Sequence, residues 1–373
     1  MSKKIIFVTG TRADWGKLKS LVMEASSDNF DVHIFITGMH NDEKYGYTYI
    51  DVQRVKNVGF YRFDNKTSET SMDLTLSKTI TGFSKYVDKI NPDLIVIHGD
   101  RPEPLACAIV GSFKNILVAH IEGGEISGTI DELIRHSISK LSHIHFVSNE
   151  MAKNRLIQMG EKKESIFIIG SPDIDLMFSK DLPILKEAKK KYQISYDKYS
   201  IVLFHPVTTE IKFIKEQVDC LIDSVIESKK NYIIIYPNND LGSDTIIDAY
   251  KKIKSNCVKI LPSIRFEYFL TLLKNSEFII GNSSAGIREA PYYSVDSINI
   301  GSRQNNRDTN QFILNINYNK NEIVNTIKNL KNENKIDPIK NFGKGNSAKL
   351  FVDTLNNKSF WDTNNQKEFQ DIN

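Results

Sequence analysis

Lys4-Ile5-Ile6-Phe7-Val8 runs directly into Thr9-Gly10-Thr11-Arg12-Ala13-Asp14-Trp15-Gly16-Lys17. An apolar run of strand length, a glycine turn and a helix start carrying Arg12 and Lys17 spell the opening βα step of a doubly wound sheet. The phrase recurs. Val32 to Ile36, Leu94 to Ile97, Ile116 to Val118, Ile144 to Val147 and Ile166 to Ile169 read as further strands with helical patterns between them. Ile201 to Phe204, Tyr232 to Tyr236, Val258 to Leu261, Phe278 to Ile280 and Ser297 to Ile300 repeat the scheme, with helical stretches such as Lys212 to Glu227 and Arg265 to Lys274. Strands covered by helices on both faces become continuous apolar runs, so parallel sheets are expected.

The chain of 373 residues exceeds one ordinary core. The expected fold is α/β: two Rossmann-like, doubly wound parallel-sheet domains facing across a cleft. Gly170-Ser171-Pro172 closes one strand and a lysine-rich stretch from Lys180 to Lys191 follows, which puts the linker near 172–180. The expected division is 1–175, 176–355 and a polar, Asn-rich tail at 356–373, frayed or packing back on the first domain through Phe360, Trp361 and Phe369.

Composition excludes several classes. Hydrophobic residues make up 40% and charged residues 25%, and no apolar run approaches the roughly 20 residues of a membrane span. The apolar run after Lys4 is too short for a signal peptide, so a cytoplasmic protein without membrane contact is expected. A net charge of +3 without a basic, aromatic-interleaved tract argues against nucleic acid. Cys107, Cys220 and Cys257 form no CxxC or Cys/His pair, so neither a disulfide framework nor a metal site is implied, and all three are expected to be buried.

In doubly wound sheets the ligand lies beyond the carboxyl ends of the strands, and the polar residues gather there. The turn Gly10 to Lys17 offers backbone N–H groups at a helix start beside two cations, a setting for phosphate. It matches neither GxGxxG nor GxxxxGK[ST], which disfavours a nicotinamide dehydrogenase or a P-loop NTPase. The next ends read Thr37-Gly38-Met39-His40, His98-Gly99-Asp100-Arg101 and His120-Ile121-Glu122-Gly123-Gly124-Glu125, followed by Asp131 and Arg135-His136 on a helix. A single polar residue there is ordinarily structural. Three successive ends that pair His with carboxylates suit acid/base work, because grouped carboxylates shift one another's protonation. The second half offers Phe204-His205, Asn238, Gly281-Asn282-Ser283-Ser284, Arg288-Glu289 and Gly301-Ser302-Arg303, where hydroxyl and N–H groups suit a pyrophosphate and a glutamate suits a ribose diol. A plain serine N-cap would account for the serines alone.

At these residues the chain resembles the hydrolysing UDP-N-acetylglucosamine 2-epimerases of sialic-acid and related nonulosonic-acid pathways, including the epimerase half of the bifunctional animal enzyme. The resemblance covers nearly the whole chain and weakens after about residue 335. It is carried by GTRAD (Gly10 to Asp14), TGMH (Thr37 to His40), HGDR (His98 to Arg101), HIEGGE (His120 to Glu125), SGTIDE (Ser127 to Glu132), IRHSISKL (Ile134 to Leu141), FHPVTTE (Phe204 to Glu210), GNSSAGIRE (Gly281 to Glu289) and GSRQ (Gly301 to Gln304). Non-hydrolysing relatives carry AGLR-type and GTRPE-like sequences at Gly123 to Glu125 and Gly10 to Asp14.

The resemblance implies a GT-B-like fold with no metal or redox cofactor, a UDP-sugar substrate, UDP as product, and a homodimer or homotetramer. It also implies a mechanism: a base removes the C2 proton as UDP leaves anti to it, and water adds to the resulting 2-acetamidoglycal to give free N-acetylmannosamine. Carried onto this chain, Asp131 is the base, with Asp100 and Glu122 handling proton transfer and water addition. Arg12, Lys17, Arg101 and His205 stabilise the pyrophosphate leaving group. Asp14 and Arg135 also belong to the substrate site, His40 lines its sugar side, and Asn238, Ser283, Ser284, Glu289 and Arg303 hold uridine diphosphate. Gly16 stands where the animal enzyme has serine. Alternatives are the same reaction on UDP-N,N'-diacetylbacillosamine, a GT-B glycosyltransferase, and a sugar-nucleotide sensor that binds without turnover.

Overall fold

The computed structural model describes residues 2–67, 71–127, 129–180, 182–304, 310–330, 341–368 and 370–371. The chain divides into two compact units. One comprises Met1–Glu125, Asp131–Ser179 and Asn341–Asn373; the other comprises Ile126–Ile130 and Lys180–Lys340.

The first unit is built on seven strands: β1 (Lys4–Thr9), β2 (Asp31–Ile36), β3 (Gly59–Arg62), β4 (Leu94–His98), β5 (Leu117–Ile121), β6 (Ile144–Val147) and β7 (Ile166–Ile168). Their order is β3-β2-β1-β4-β5-β6-β7, and every pairing is parallel. The second unit carries β8 (Ser200–Leu203), β9 (Tyr232–Ile235), β10 (Val258–Leu261), β11 (Phe278–Gly281), β12 (Asp296–Ile300) and β13 (Ile313–Ile316) in the order β10-β9-β8-β11-β12-β13, again all parallel. Both sheets are doubly wound. The direction of winding reverses between β1 and β4 in one and between β8 and β11 in the other, and the carboxyl ends at such a reversal form the natural ligand site.

Two strands escape the sequence reading, β3 and β13. Both lie at sheet edges; β3 has no fully buried residue and β13 has one, so neither forms a buried apolar run. Two boundaries also move. The first unit continues to Ser179, and it regains the chain at Asn341, well before the expected 356. The reason is packing: Phe351, Val352 and Leu355 on the helix Ser347–Leu355, with Phe360, belong to the core built on β1, β4 and β5. Phe351 meets Phe146 edge-on at 4.8 Å between ring centroids. Trp361 donates its indole N–H to Leu355 O at 2.8 Å, while Phe369 lies outside the described residues.

All three cysteines are free thiols, and only Cys107 is fully buried; Cys257 is exposed, against expectation, because it stands in the turn just before β10. Among the described residues no helix is long and apolar enough to cross a membrane.

Gly281 shows why a glycine must end β11. Its φ is +139°, and a Cβ there would stand 2.1 Å from the carbonyl oxygen of Leu203 on the neighbouring strand. Gly281→Ala is therefore expected to destabilise the second unit by at least about 2 kcal/mol, read as a lower denaturation midpoint; an unchanged midpoint would contradict the close approach.

Candidate active site

In the first unit the turn after β1 is shaped by its own side chains. Thr11 caps the helix Arg12–Ser27, accepting from Asp14 N at 3.1 Å, and Asp14 accepts from Gly10 N at 3.3 Å. This folds the Asp14 carboxylate back toward β4, where His98 Nδ1 meets Asp14 Oδ1 at 3.2 Å and His98 Nε2 meets Glu122 Oε2 at 3.1 Å. Lys17, one turn along the same helix, donates to Glu122 Oε2 at 2.9 Å and lies 3.9 Å from Asp173. Ser171 donates to the other Glu122 oxygen. The ends of β1, β4 and β5 thus converge on one buried chain, Asp14–His98–Glu122–Lys17.

Burial opposes charge on His98, but the two carboxylate hydrogen bonds outweigh it and raise its pKa to about 9. Burial likewise disfavours the Asp14 carboxylate, yet the His98 bond and the positive charges of His98 and Arg101 bring it below the usual range. Glu122 itself has φ +66°, a left-handed conformation that a glutamate adopts only under local constraint. It follows the last residue of β5, its N–H donating to Phe146 O at 2.9 Å.

A second cluster surrounds Asp100. The almost fully buried Arg135 donates to Asp100 Oδ2 and, at 3.0 Å, to Glu125 O. Burial of the guanidinium is more than offset by Asp100, Glu125 and Asp131, whose charges raise its pKa. Asp131 is half-buried in the first turn of the helix Ile130–Leu141 that carries Arg135. Arg101 immediately precedes the next helix, Pro102–Phe113, and lies 3.9 Å from Glu103, while Arg12 pairs with Asp51 at 3.1 Å. His40 is fully buried, with Nε2 at 2.9 Å from Thr9 Oγ1 and Nδ1 at 2.6 Å from Thr48 Oγ1. Burial lowers its pKa to about 4, so it braces the β1 turn as a neutral ring.

In the second unit Asn282 substitutes for a continued sheet ladder. Its Oδ1 accepts from His205 N at 2.7 Å and its Nδ2 donates to His205 O at 2.8 Å, extending the β8–β11 pairing by a side chain. The His205 ring is fixed in turn: Asn238 N donates to its Nδ1 at 3.1 Å, leaving the proton of the neutral ring on Nε2. Arg303 and Gln304 donate to Asn282 O at 3.3 and 2.9 Å. Ser283 caps the short turn Ser284–Gly286 through Ala285 N, and Glu289 is buried at the start of the helix Glu289–Tyr292. The structure therefore gathers His205, Asn238, Ser283 and Arg303 around one asparagine.

His98, Ser171 and Asn282, to which the sequence alone assigns no role, each organise a cluster. His98 had a signal, as one of three histidines on successive strand ends. Ser171 and Asn282 had none beyond their place after a strand. Among the described residues no group of three His, Cys, Asp or Glu is placed to hold a metal ion.

Two doubly wound parallel-sheet units with polar clusters at their carboxyl-end reversal points define a class of nucleotide-type α/β proteins. The profile described as UDP-N-acetylglucosamine 2-epimerase matches residues 23–356. The UDP-N-acetylglucosamine 2-epimerase of Neisseria meningitidis serogroup B is 49% identical over 327 residues, 87% of either chain. The hydrolysing UDP-N,N'-diacetylbacillosamine 2-epimerase of Legionella pneumophila is 35% identical over 90% of this chain and 91% of its own. The crystal structure of a Neisseria meningitidis UDP-GlcNAc 2-epimerase bound to UDP-GlcNAc shares the fold, with a TM-score of 0.78 over 94% of this chain and 99% of that one at 20% identity. The chain belongs to the UDP-N-acetylglucosamine 2-epimerase family.

The titration of His98 has a measurable consequence. Folding raises its pKa above the ordinary 6.5, so the stability it contributes is complete below pH 6.5 and is lost as the pH climbs through about 9. The Tm difference between native protein and His98→Asn should therefore narrow from pH 6.5 to 9.5. A constant difference would rule out a charged His98.

Proposed function

We propose that the chain is a hydrolysing UDP-N-acetylglucosamine 2-epimerase, taking UDP-N-acetylglucosamine and water to N-acetylmannosamine and UDP in the cytoplasm for sialic- or nonulosonic-acid synthesis. The observation that carries this is the presence of two acid/base clusters, the buried Asp14–His98–Glu122–Lys17 and the partly exposed Asp100–Arg135, in the family's own fold. The name of the 49% identical relative supports the substrate, and that of the Legionella pneumophila relative supports the hydrolysing mode.

In this reading Asp131 removes the C2 proton as the UDP oxygen departs, and Asp100 and Glu122 move protons as water adds to the glycal. Arg12, Lys17, Arg101 and His205 offset the charge building on the leaving pyrophosphate, a stabilisation worth most where water is excluded. The His205 ring is oriented for this by Asn238 N, which donates to its Nδ1. Asn238, Ser283, Ser284, Glu289 and Arg303 take the nucleotide. Arg135 holds Asp100 in place, and Asp14 and His40 hold the β1 turn. A second reading, the same chemistry on UDP-N,N'-diacetylbacillosamine, is favoured by the Legionella pneumophila relative.

Purified protein given UDP-N-acetylglucosamine without an acceptor should release UDP and free N-acetylmannosamine; intact substrate or UDP-N-acetylmannosamine would overturn the proposal. The diacetamido substrate run in parallel separates the two readings by kcat/KM. Asp131→Asn should abolish exchange of the C2 proton with solvent deuterium, lowering kcat by at least about a thousandfold with UDP affinity nearly intact. Persistent exchange would remove Asp131 from the base role.

A further inference from the structure

The helix Ile130–Leu141 carries Asp131 and Arg135 near its start, and its other end is held by the last residues of the chain. Lys367 donates its ammonium to the carbonyls of Ser139 at 3.1 Å and Ser142 at 2.6 Å, and to Glu161 Oε2 at 2.5 Å. The carbonyls at a helix C-terminus lack partners within the helix and carry the negative end of its dipole, so a cation there closes and fixes the last turn. Glu161 is buried between His145 Nε2 at 3.0 Å, Lys140 at 2.8 Å and Lys367. Burial works against its charge, but His145 and the two lysines hold its pKa down to about 2, so the anchor for Lys367 is an ionised carboxylate.

The tail is attached mainly through polar groups at this point. Asn365 O faces His143 Nε2 at 2.9 Å, and Asn365 Nδ2 donates to Asn115 O at 2.8 Å. A pocket of about 380 Å3 beside these contacts is lined by His143, Phe167, Asn357, Phe360, Thr363 and Lys367 among others. Lys367 is held here by the ion pair with Glu161 and by the two carbonyls.

The helix end is wired to the acid/base cluster. Ser139 Oγ lies 3.1 Å from His120 Nδ1, and His120 Nε2 lies 2.8 Å from the carbonyl of Gly99, which immediately precedes Asp100. Two turns of helix separate Ser139 from Asp131, and Arg135 between them grips Asp100. A shift of the helix along its axis would move Asp131 and Arg135 together relative to Asp100.

We propose that Lys367 is a positioning residue for catalysis: anchored on Glu161, it locks the C-terminal turn of the helix Ile130–Leu141 and so fixes Asp131 and Arg135 against Asp100. This rests on the epimerase reading above. It gives the chain's terminal segment a role in turnover without contact with substrate.

The full-length protein with Lys367→Met should lose about tenfold in kcat on UDP-N-acetylglucosamine with KM within about twofold, because geometry at the reacting carbon suffers while nucleotide binding does not. Lys367→Arg, which keeps a cation at the carbonyls, should recover most of the rate. Lys162→Met, which removes only the exposed 3.1 Å pair with Glu368, should leave it unchanged. Hydrogen exchange read by mass spectrometry should accelerate in residues 130–141 of Lys367→Met and stay unaltered in the second unit. Unchanged kcat, a loss confined to KM, or no rescue by arginine would overturn the proposal. If Lys367→Met does not fold, Glu161→Gln carries the same test at smaller amplitude, with the same outcomes overturning it. Native protein that does not turn over UDP-N-acetylglucosamine refutes the epimerase reading instead, and the exchange comparison still decides whether Lys367 locks the helix.

Discussion

Burying a carboxylate without partners costs several kcal/mol, and the first unit is arranged around meeting that cost at Glu122. Lys17 comes from the helix after β1, His98 from the end of β4, and Ser171 from the segment after β7. Three segments distant in the chain must therefore be in place before Glu122 is satisfied. The left-handed φ of Glu122 and the tight turn at Gly124, where a Cβ would stand 2.2 Å from Ala152 O, are local strains that this convergence sustains.

The second unit solves a neutral version of the same problem. Gly281 ends β11 because Leu203 O comes too close for a side chain, and the next residue supplies its own amide to continue the ladder onto His205. A carboxamide at that position presents one acceptor and one donor in the geometry of a peptide group, which aspartate cannot do. The same Asn282 backbone carbonyl gathers Arg303 and Gln304 from the end of β12. One side chain and one carbonyl thus link the ends of β8, β11 and β12.

Central strands were legible in the sequence because burial on both faces leaves a continuous apolar run, as at Lys4–Thr9 and Leu94–His98. The strands β3 and β13 were not, since Gly59 and Arg62 in one and Asn315 in the other break the apolar run. Of the site, residue types and their strand-end placement were legible; partner choice was not. Lys17 and Arg12 read as cations at a helix start, but that Glu122 and Asp51 stand against them is set by the fold and has no local signature. Lys367 was invisible for a related reason: a lysine in an Asn-rich tail has no local signature, and its partners lie more than two hundred residues away.

His98 decides how the first cluster carries its protons. Each of its ring nitrogens faces a carboxylate, Asp14 on one side and Glu122 on the other. A neutral imidazole has one N–H and could donate to only one of them, leaving the other carboxylate facing a lone pair; the imidazolium donates to both. That is the physical content of its pKa near 9. At neutral pH the buried chain therefore alternates in sign, Asp14, His98, Glu122, Lys17, and each charge is flanked by its opposite. Such an arrangement holds the carboxylate of Glu122 in position before any ligand arrives, so the electrostatic work of organising it is done on folding rather than during turnover. It also makes His98 a source of field and geometry whose charge depends on both neighbours. Removal of either carboxylate would leave an imidazolium with half its support in a buried site, and the ring would then revert toward the neutral form that burial favours.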